Sequence, residues 1–229
     1  GTFATKSTKR IRKKLYFTWI PTFVGMTGNR NEEMECCILK VRSKIDSLLF
    51  YSFFMLTKIL LVLVAIVIIL LVVAYFTPRN FSLSKSITID ASRETIYDYV
   101  RFLKSQEKYS VWVMADPNIA MQYTGTDGAV GATSSWKSEM KNVGVGAQTI
   151  TALVPNEKMT VEIRFEKPMK ATNYADTTLE VAGGQTKVTN TFYGTSKFPM
   201  NITNLFLDKM IGADITKNME NLKKIMEQK

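Results

Sequence analysis

A run of 18 residues, 59–76, contains no charged residue, no glycine and no proline. It reads ILLVLVAIVIILLVVAYF. As an α-helix it would cover about 27 Å, close to the ~30 Å thickness of the hydrocarbon layer of a bilayer. A surface helix of a soluble domain would carry a polar stripe every three to four residues, and this run has none. The sequence therefore predicts one transmembrane helix; the alternative is a core helix of a soluble domain.

A cleaved signal peptide is a further alternative for this run. Its apolar region would normally be about 7–15 residues long and would end at a small-x-small cleavage site. Here Tyr75 and Phe76 stand where small residues are needed, and Pro78 ends the run. The sequence favours an uncleaved anchor over residues 55–78, with the two aromatic residues at the membrane interface.

The basic charge of the chain lies mainly before the apolar run. Residues 1–78 carry 11 Lys and Arg against 4 Asp and Glu, whereas residues 79–229 carry 19 against 16. Positive charge beside a span is ordinary membrane topology, so no nucleic-acid partner is predicted. Lys40, Arg42, Lys44 and Lys58 precede the span, which predicts that its N-terminal side is cytoplasmic and that residues 79–229 lie on the other side.

Residues 1–54 show no pattern of a folded unit and are expected to be unstructured or not native to the protein. The stretch WIPTFVGMTG resembles peptides that arise when bacterial intergenic repeat DNA is translated. Met55 opens a short basic start that leads into the apolar run, so we hypothesise that it is the natural initiator. The alternative is a basic cytoplasmic arm attracted to anionic lipid.

Cysteine and histidine usage excludes several kinds of chemistry. The two cysteines, Cys36 and Cys37, are adjacent and lie before the span, which offers neither a disulfide framework nor metal-ligand spacing. Histidine is absent, which excludes Ser-His-Asp and Cys-His catalysis and the commonest metal ligand. No cofactor, metal site or catalytic residue is predicted.

Residues 79–229 have the length and pattern of one domain with its own core. Apolar and polar residues alternate over residues 81–90, which predicts a strand, and Ser92 is a candidate N-cap of a following helix. Several strands separated by turn signals follow up to about Thr195, with a hairpin expected at Gly183-Gly184. Residues 201–228 have the period of a long amphipathic helix.

This order of elements predicts an α+β fold. A curved antiparallel sheet wrapped around the long C-terminal helix would bury the apolar faces of both. The expected domain organisation is therefore an N-terminal extension over residues 1–54, a transmembrane anchor over 55–78 and one folded domain over 79–229.

Four segments of the domain resemble the SRPBCC superfamily, the START-like, helix-grip group often labelled polyketide cyclase or dehydrase. They read SITIDASRETIYDYV (86–100), GAVGATSSW (128–136), VGVGAQTITALVPNEKMTVEIRFEKPMKA (143–171) and FLDKMIGADITKNMENLKK (206–224). The resemblance implies a deep, mostly apolar cavity between the sheet and the C-terminal helix. It does not imply one reaction, because a shared fold hosts many functions.

Residues that would line such a cavity follow from strand alternation, which puts residues i and i+2 on one face. Ordinary core packing and mutual satisfaction of the polar groups are the alternatives for each. The candidates are Trp112, Trp136, Val161, Ile163, Phe165, Asn173, Thr177, Asn190, Phe192, Phe206 and Met210.

The sequence thus predicts a membrane-anchored binding module for a hydrophobic small molecule or lipid, which is its expected partner besides the membrane. The resemblance to bacterial proteins with a span before such a domain implies a single-pass protein of the bacterial inner membrane, with the domain on the periplasmic side. One alternative is a cyclase-like enzyme in which polar groups such as Asn173, Asn190 and Tyr193 steer a reactive substrate. Another is an adaptor or structural domain without a cavity.

Overall fold

The computed structural model describes residues 30–228. The basic cluster and the WIPTFVGMTG stretch of the N-terminal extension lie outside the described residues. The chain divides into two compact units, residues 1–63 and 64–229, and each is described by itself.

Helix α1 (Arg30–Phe76) provides all of the described part of the first unit and continues into the second. The part over residues 30–54 differs from the sequence-based expectation of no structure there. Residues 30–58 contain no glycine or proline, and a helix that is already formed extends at low cost because each added residue adds one hydrogen bond. Over Met34–Phe76 the helix is long and apolar enough to cross a membrane by length and composition.

The second unit contains a seven-stranded antiparallel sheet with strand order β1-β7-β6-β5-β4-β3-β2. A predicted hairpin at Gly183-Gly184 joins β6 to β7, and both glycines have positive φ, as the turn requires. The strands are β1 (Asn80–Ile89), β2 (Ala120–Thr124), β3 (Thr133–Lys137), β4 (Val145–Val154), β5 (Lys158–Lys167), β6 (Ala171–Ala182) and β7 (Gln185–Thr195). The helices are α2 (Arg93–Val100), a 3₁₀ segment (Leu103–Lys108), α3 (Val111–Ala115), a second 3₁₀ segment (Met200–Phe206), a π-helical turn (Asp208–Gly212) and α4 (Ala213–Glu227).

The sheet is curved, and the C-terminal helix packs against it. The register between β4 and β5 shifts at Val145/Gly146 and again at Ile150/Ala152, and such irregularities bend a strand and increase its twist. Ile215, Met219 and Leu222 on α4 are buried against residues of the sheet. The predicted α+β helix-grip fold is confirmed.

Helix α2 begins where the sequence predicts. The Ser92 side chain accepts a hydrogen bond from the Thr95 backbone N–H at 3.2 Å, which satisfies one of the free donors at the helix start. Ile96, Tyr97 and Val100 are buried on one face of α2 and belong to the same core cluster as α4.

The predicted single C-terminal helix over 201–228 is instead three segments of different helical type. The Asn201 and Asn204 side chains donate to backbone carbonyls of residues 74–79, which holds the first segment in place as a 3₁₀ helix. At the π-helical turn, Gly212 leaves room for the carboxylate of Asp208, because a Cβ at Gly212 would collide with it. Asp208 in turn pairs with Lys85 at 2.7 Å.

Candidate ligand-binding cavity

A cavity of about 370 Å³ lies between the sheet and the C-terminal helical segments. Its walls come from three parts of the domain. On the sheet they are Met121, Ser134, Trp136, Gln148, Met159, Val161, Ile163, Phe165, Ala175, Thr177, Val188, Asn190 and Phe192. On the C-terminal segments they are Leu207, Ile211, Ile215, Asn218, Met219 and Leu222. Between α2 and β2, and in the β3–β4 loop, they are Val100, Gln106, Tyr109, Ser110, Trp112, Val113, Ile119, Asn142 and Val143.

Strand alternation and register explain the sheet wall. Met159, Val161, Ile163 and Phe165 are two residues apart along β5, so their side chains point to one face. Across the sheet, Met159 is opposite Thr177, and Thr177 is opposite Asn190. The side chains of neighbouring strands that point to this face therefore lie side by side and form one continuous wall of the cavity.

Trp136 reaches the cavity across a glycine. Trp136 is opposite Gly146 on β4, and Gly146 is opposite Phe165 on β5. A Cβ at Gly146 would lie 2.6 Å from the Trp136 ring, so the missing side chain lets the indole meet Phe165, edge to face, with centroids 6.0 Å apart. The indole N–H donates to the Val143 carbonyl at 3.3 Å, so its polar atom is satisfied.

The polar groups of the wall are few and neutral. The Asn190 amide donates to Thr177 Oγ1 at 3.2 Å, in the middle of the apolar sheet wall. The Gln148 amide donates to Gln106 Oε1 at 2.7 Å, and Asn218 Oδ1 accepts from the Val111 N–H at 2.7 Å. Within the described residues, no donor is bonded to the side-chain oxygen Oδ1 of Asn190, so this atom is available to a ligand.

The cavity wall is uncharged. Among residues 30–228, it contains no Asp, Glu, Lys or Arg. Tyr109 is its ionisable group, and burial together with the nearby Tyr99 raises the pKa of the Tyr109 phenol, which stays neutral at physiological pH. A group of three or more His, Cys, Asp or Glu suited to hold a metal ion does not occur in residues 30–228.

Most of the residues that the sequence proposes as candidates lie on the cavity. These are Trp112, Trp136, Val161, Ile163, Phe165, Thr177, Asn190 and Phe192. Asn173 shares their face of the sheet but lies beside Gly194, where a Cβ would collide with its side-chain oxygen, and it does not line the cavity. Tyr193 is on the opposite face, stacked on Tyr174, so it cannot steer a substrate in the cavity.

Phe206 and Met210 also lie outside the cavity, because the C-terminal segments turn a neighbouring set of residues inward. Phe206 is 53% and Met210 60% exposed, whereas Leu207 and Ile211 line the cavity. Apolar residues recur every four positions at Leu207, Ile211, Ile215 and Met219. This spacing is the sequence signal that identifies the residues facing the cavity. Choosing Met210 instead leaves an irregular step of five residues to Ile215.

The fold and the cavity define a START-like helix-grip domain of the ligand-binding or cyclase-like kind. Residues 80–227 match the profile of the family described as polyketide cyclase / dehydrase and lipid transport, which covers more than half of the chain. The protein therefore belongs to this family, within the SRPBCC superfamily.

Solved structures of the same fold have little sequence identity to this chain. The di-domain aromatase/cyclase StfQ of the steffimycin biosynthetic pathway matches with a TM-score of 0.50 and 10% identity, over 65% of this chain and 51% of that chain. A protein of Chromobacterium violaceum matches with a TM-score of 0.46 and 14% identity, over 64% of this chain and 96% of that chain. A comparison with curated protein sequences finds no match.

Proposed function

We propose that this protein is a membrane-anchored binding module for an uncharged, largely apolar small molecule or lipid. The observation that carries the proposal is the cavity of about 370 Å³, in whose wall the described part of the chain places no charged side chain. This volume lies in the range of about 300–1,000 Å³ that is usual for small-molecule sites. It argues against an adaptor domain with a filled core.

The neutrality of the wall supports an uncharged ligand. A carboxylate or phosphate inside the cavity would lose its hydration and meet no cation there, and such burial of an unpaired charge is strongly unfavourable. The Asn190 amide beside Thr177 supplies one polar position on the sheet wall, suited to a hydroxyl or carbonyl group of the ligand.

The membrane anchor would supply the ligand. We propose that residues 55–78 form the anchor and residues 79–229 the binding domain, in a single-pass protein of a bacterial inner membrane with the domain on the periplasmic side. Tethering keeps the cavity close to a ligand dissolved in the bilayer and so raises its effective concentration. The apolar stretch 59–76 and the basic residues before it support this arrangement.

A cyclase-like reaction is the second candidate. The family description pairs cyclase and dehydrase activity with lipid transport. Asn190 and Thr177 could hold the carbonyl of a reactive substrate in one folded conformation. The two candidates differ in outcome, because a binding module releases its ligand unchanged and a cyclase releases a product.

The test is to purify the full chain in native lipid discs from its host and to identify what is bound by native mass spectrometry and lipid extraction. We expect an uncharged apolar molecule in stoichiometric amount. In the Ala175→Phe variant the larger side chain occupies part of the cavity, so the bound molecule should be lost. Thr172→Phe, on the other face of β6, should retain the bound molecule. Equal retention by both variants, or a bound anion, would contradict the proposal.

A further inference from the structure

The cavity is not equally buried along its length. On β5, Met159 and Val161 are buried, whereas Ile163 and Phe165 are partly exposed. On the C-terminal segments, Ile215, Met219 and Leu222 are buried, and Ile211 and Leu207 are partly exposed.

Both gradients run toward the same end of the sheet, the end at which β1 begins (Asn80), β5 ends (Lys167) and β7 ends (Thr195). We call this the mouth end.

The mouth end is also where the apolar helix is attached. Asn201 is 1% exposed, and its amide donates to the Ala74 carbonyl at 2.6 Å and to the Thr77 carbonyl at 2.7 Å. These carbonyls belong to the last turn of α1 and to its flank, where helical partners are missing. Asn204 donates in the same way to the Pro78 carbonyl at 3.0 Å. The end of α1 is therefore held against the segment 198–210.

The segment 198–210 carries apolar side chains on its outer side. Phe198 and Met200 are each 45% exposed, and Leu205 is 57% exposed. Phe206 and Met210 on the same segment are exposed as well, and Met169 extends this surface to the β5–β6 turn, at the same end of the sheet. Exposed apolar side chains grouped in this way mark an interaction surface.

Cations accompany these apolar side chains. Lys141, Lys167, Lys170, Lys197 and Lys209 are exposed in the loops and segments of the mouth end. The exposed acidic residues there are Glu139, Glu166 and Asp208, of which Asp208 is paired with Lys85, and the buried Asp116 accepts a hydrogen bond from Ser138. Apolar side chains beside an excess of lysines are typical of surfaces that lie in the headgroup region of an anionic membrane.

We propose that the mouth end of the domain, led by the segment 198–210, lies in the bilayer surface, so that the ligand exchanges between the membrane and the cavity without crossing water. The partner is an anionic lipid surface. The segment 198–210 faces both the proposed lipid surface and the cavity, because Leu205, Phe206 and Met210 are exposed while Leu207, and Ile211 directly after the segment, line the cavity. The inference rests on the proposed membrane anchor and deepens it, because an anchor alone does not say which surface of the domain meets the lipid.

Insertion is tested with the full chain in lipid nanodiscs of phosphatidylcholine and phosphatidylglycerol. In a Cys36→Ser/Cys37→Ser background, single cysteines replace Phe206 or Met210 and carry an environment-sensitive fluorophore. The controls are Val154→Cys and Val181→Cys, at 43% and 68% exposed positions on the opposite end of the sheet. We expect lipids with a nitroxide near the top of the acyl chain to quench the labels at Phe206 and Met210 and not the labels at Val154 and Val181. Equal quenching at both ends, or none at the mouth end, would overturn the proposal.

Exchange is tested separately from binding with dehydroergosterol, an uncharged fluorescent sterol, loaded from the bilayer. Energy transfer from Trp112 and Trp136 reports its arrival in the cavity. Leu205→Gln/Phe206→Gln should slow loading at least about tenfold while the final occupancy stays the same, because neither residue lines the cavity. Val181→Gln is the matched control.

The two tests separate failure of this inference from failure of the binding function. If Ala175→Phe abolishes loading but the labels at Phe206 and Met210 are not quenched by lipid, the binding function stands and the docking surface is wrong. If the labels are quenched and no loading occurs in any variant, the docking surface stands and sterols are excluded as the ligand. Unchanged loading by Leu205→Gln/Phe206→Gln would overturn exchange through the mouth end.

Discussion

The two ends of the cavity are built from the same strands but from different C-terminal helical segments, and they differ in how far their apolar side chains are buried. At the closed end, Val161, Val188 and Leu222 are at most 4% exposed and form part of the protein core. At the mouth end, Leu205 and Phe206 are apolar and more than half exposed. Burial stabilises the fold only where water is excluded, so the apolar side chains of the closed end contribute to stability and those exposed at the mouth end contribute little.

The largest expected effect is on the free energy of unfolding, which should change much more for a substitution at the closed end than for one at the mouth end. Leu222→Ala should lower the free energy of unfolding by about 2–5 kcal/mol, because it removes a side chain that is 3% exposed and enlarges the apolar cavity that this side chain lines. Leu205→Ala should change it by less than about 0.5 kcal/mol, because its side chain is already exposed. Urea unfolding of the full chain in nanodiscs measures both. Similar losses for the two variants would remove the distinction between the ends.

The next effect concerns the attachment of α1 at the mouth end. Asn201→Leu keeps the number and branching of the side-chain heavy atoms but removes both N–H donors to the Ala74 and Thr77 carbonyls, and we expect a loss of about 1–3 kcal/mol in the same unfolding measurement. Limited proteolysis should show faster cleavage near Pro78.

Thr203→Ala is the control for Asn201→Leu, because within the described residues the Thr203 hydroxyl donates to the Met200 carbonyl of its own turn and not to α1. It should change the free energy of unfolding by less than about 0.5 kcal/mol. A loss as large as that of Asn201→Leu would mean that the segment as a whole, and not the contact with α1, is being measured.

A smaller effect is expected on ligand affinity, from a substitution midway along the cavity. Asn190→Leu removes the polar position on the sheet wall and should weaken binding of an uncharged ligand that carries a hydroxyl or carbonyl by about tenfold. A hydrocarbon of the same shape should bind as before or more tightly. Isothermal titration with the two ligands checks this, and equal weakening of both would point to altered packing instead.

The smallest effect is a dependence on alkaline pH that arises inside the cavity wall. Burial holds the pKa of the Tyr109 phenol above its ordinary value of 10.0, so its protonated form stabilises the folded state. This contribution is complete below about pH 10 and is lost as the pH rises through the higher folded pKa.

Tyr109→Phe should therefore flatten the decline in the free energy of unfolding above about pH 10, where the unfolded-state phenol ionises and the buried phenol does not. The difference between wild type and variant isolates Tyr109 from the other tyrosines and lysines, which titrate in both. Parallel curves for the two proteins would show that this phenol does not contribute.

Prediction from sequence succeeds here where the signal is local. The alternation along β5 puts Val161, Ile163 and Phe165 on one face in any antiparallel sheet, and the structure places all three on the cavity. The N-cap at Ser92 and the turn at Gly183-Gly184 are likewise set by short-range preferences and are confirmed.

Prediction fails where more than one apolar face is available. Phe206 and Met210 are spaced by four residues, and so are Leu207 and Ile211, so the spacing within either pair does not say which pair turns inward. Only the continuation of the four-residue repeat to Ile215 and Met219 favours the second pair. The choice is made by contacts with distant parts of the chain. Asn201 holds the last turn of α1, and Asp208 pairs with Lys85 on β1.

The sequence by itself determined the apolar helix, the strands, their turns and the helix-grip fold, because each depends on residue patterns within a short stretch of chain. Only the tertiary structure decided the cavity volume, the neutrality of its wall and the end at which it opens. These properties depend on side chains that are far apart in sequence and meet only after the sheet curves and the C-terminal helix packs against it. Burial is a property of that assembly, and it separates two apolar surfaces that look alike in the sequence.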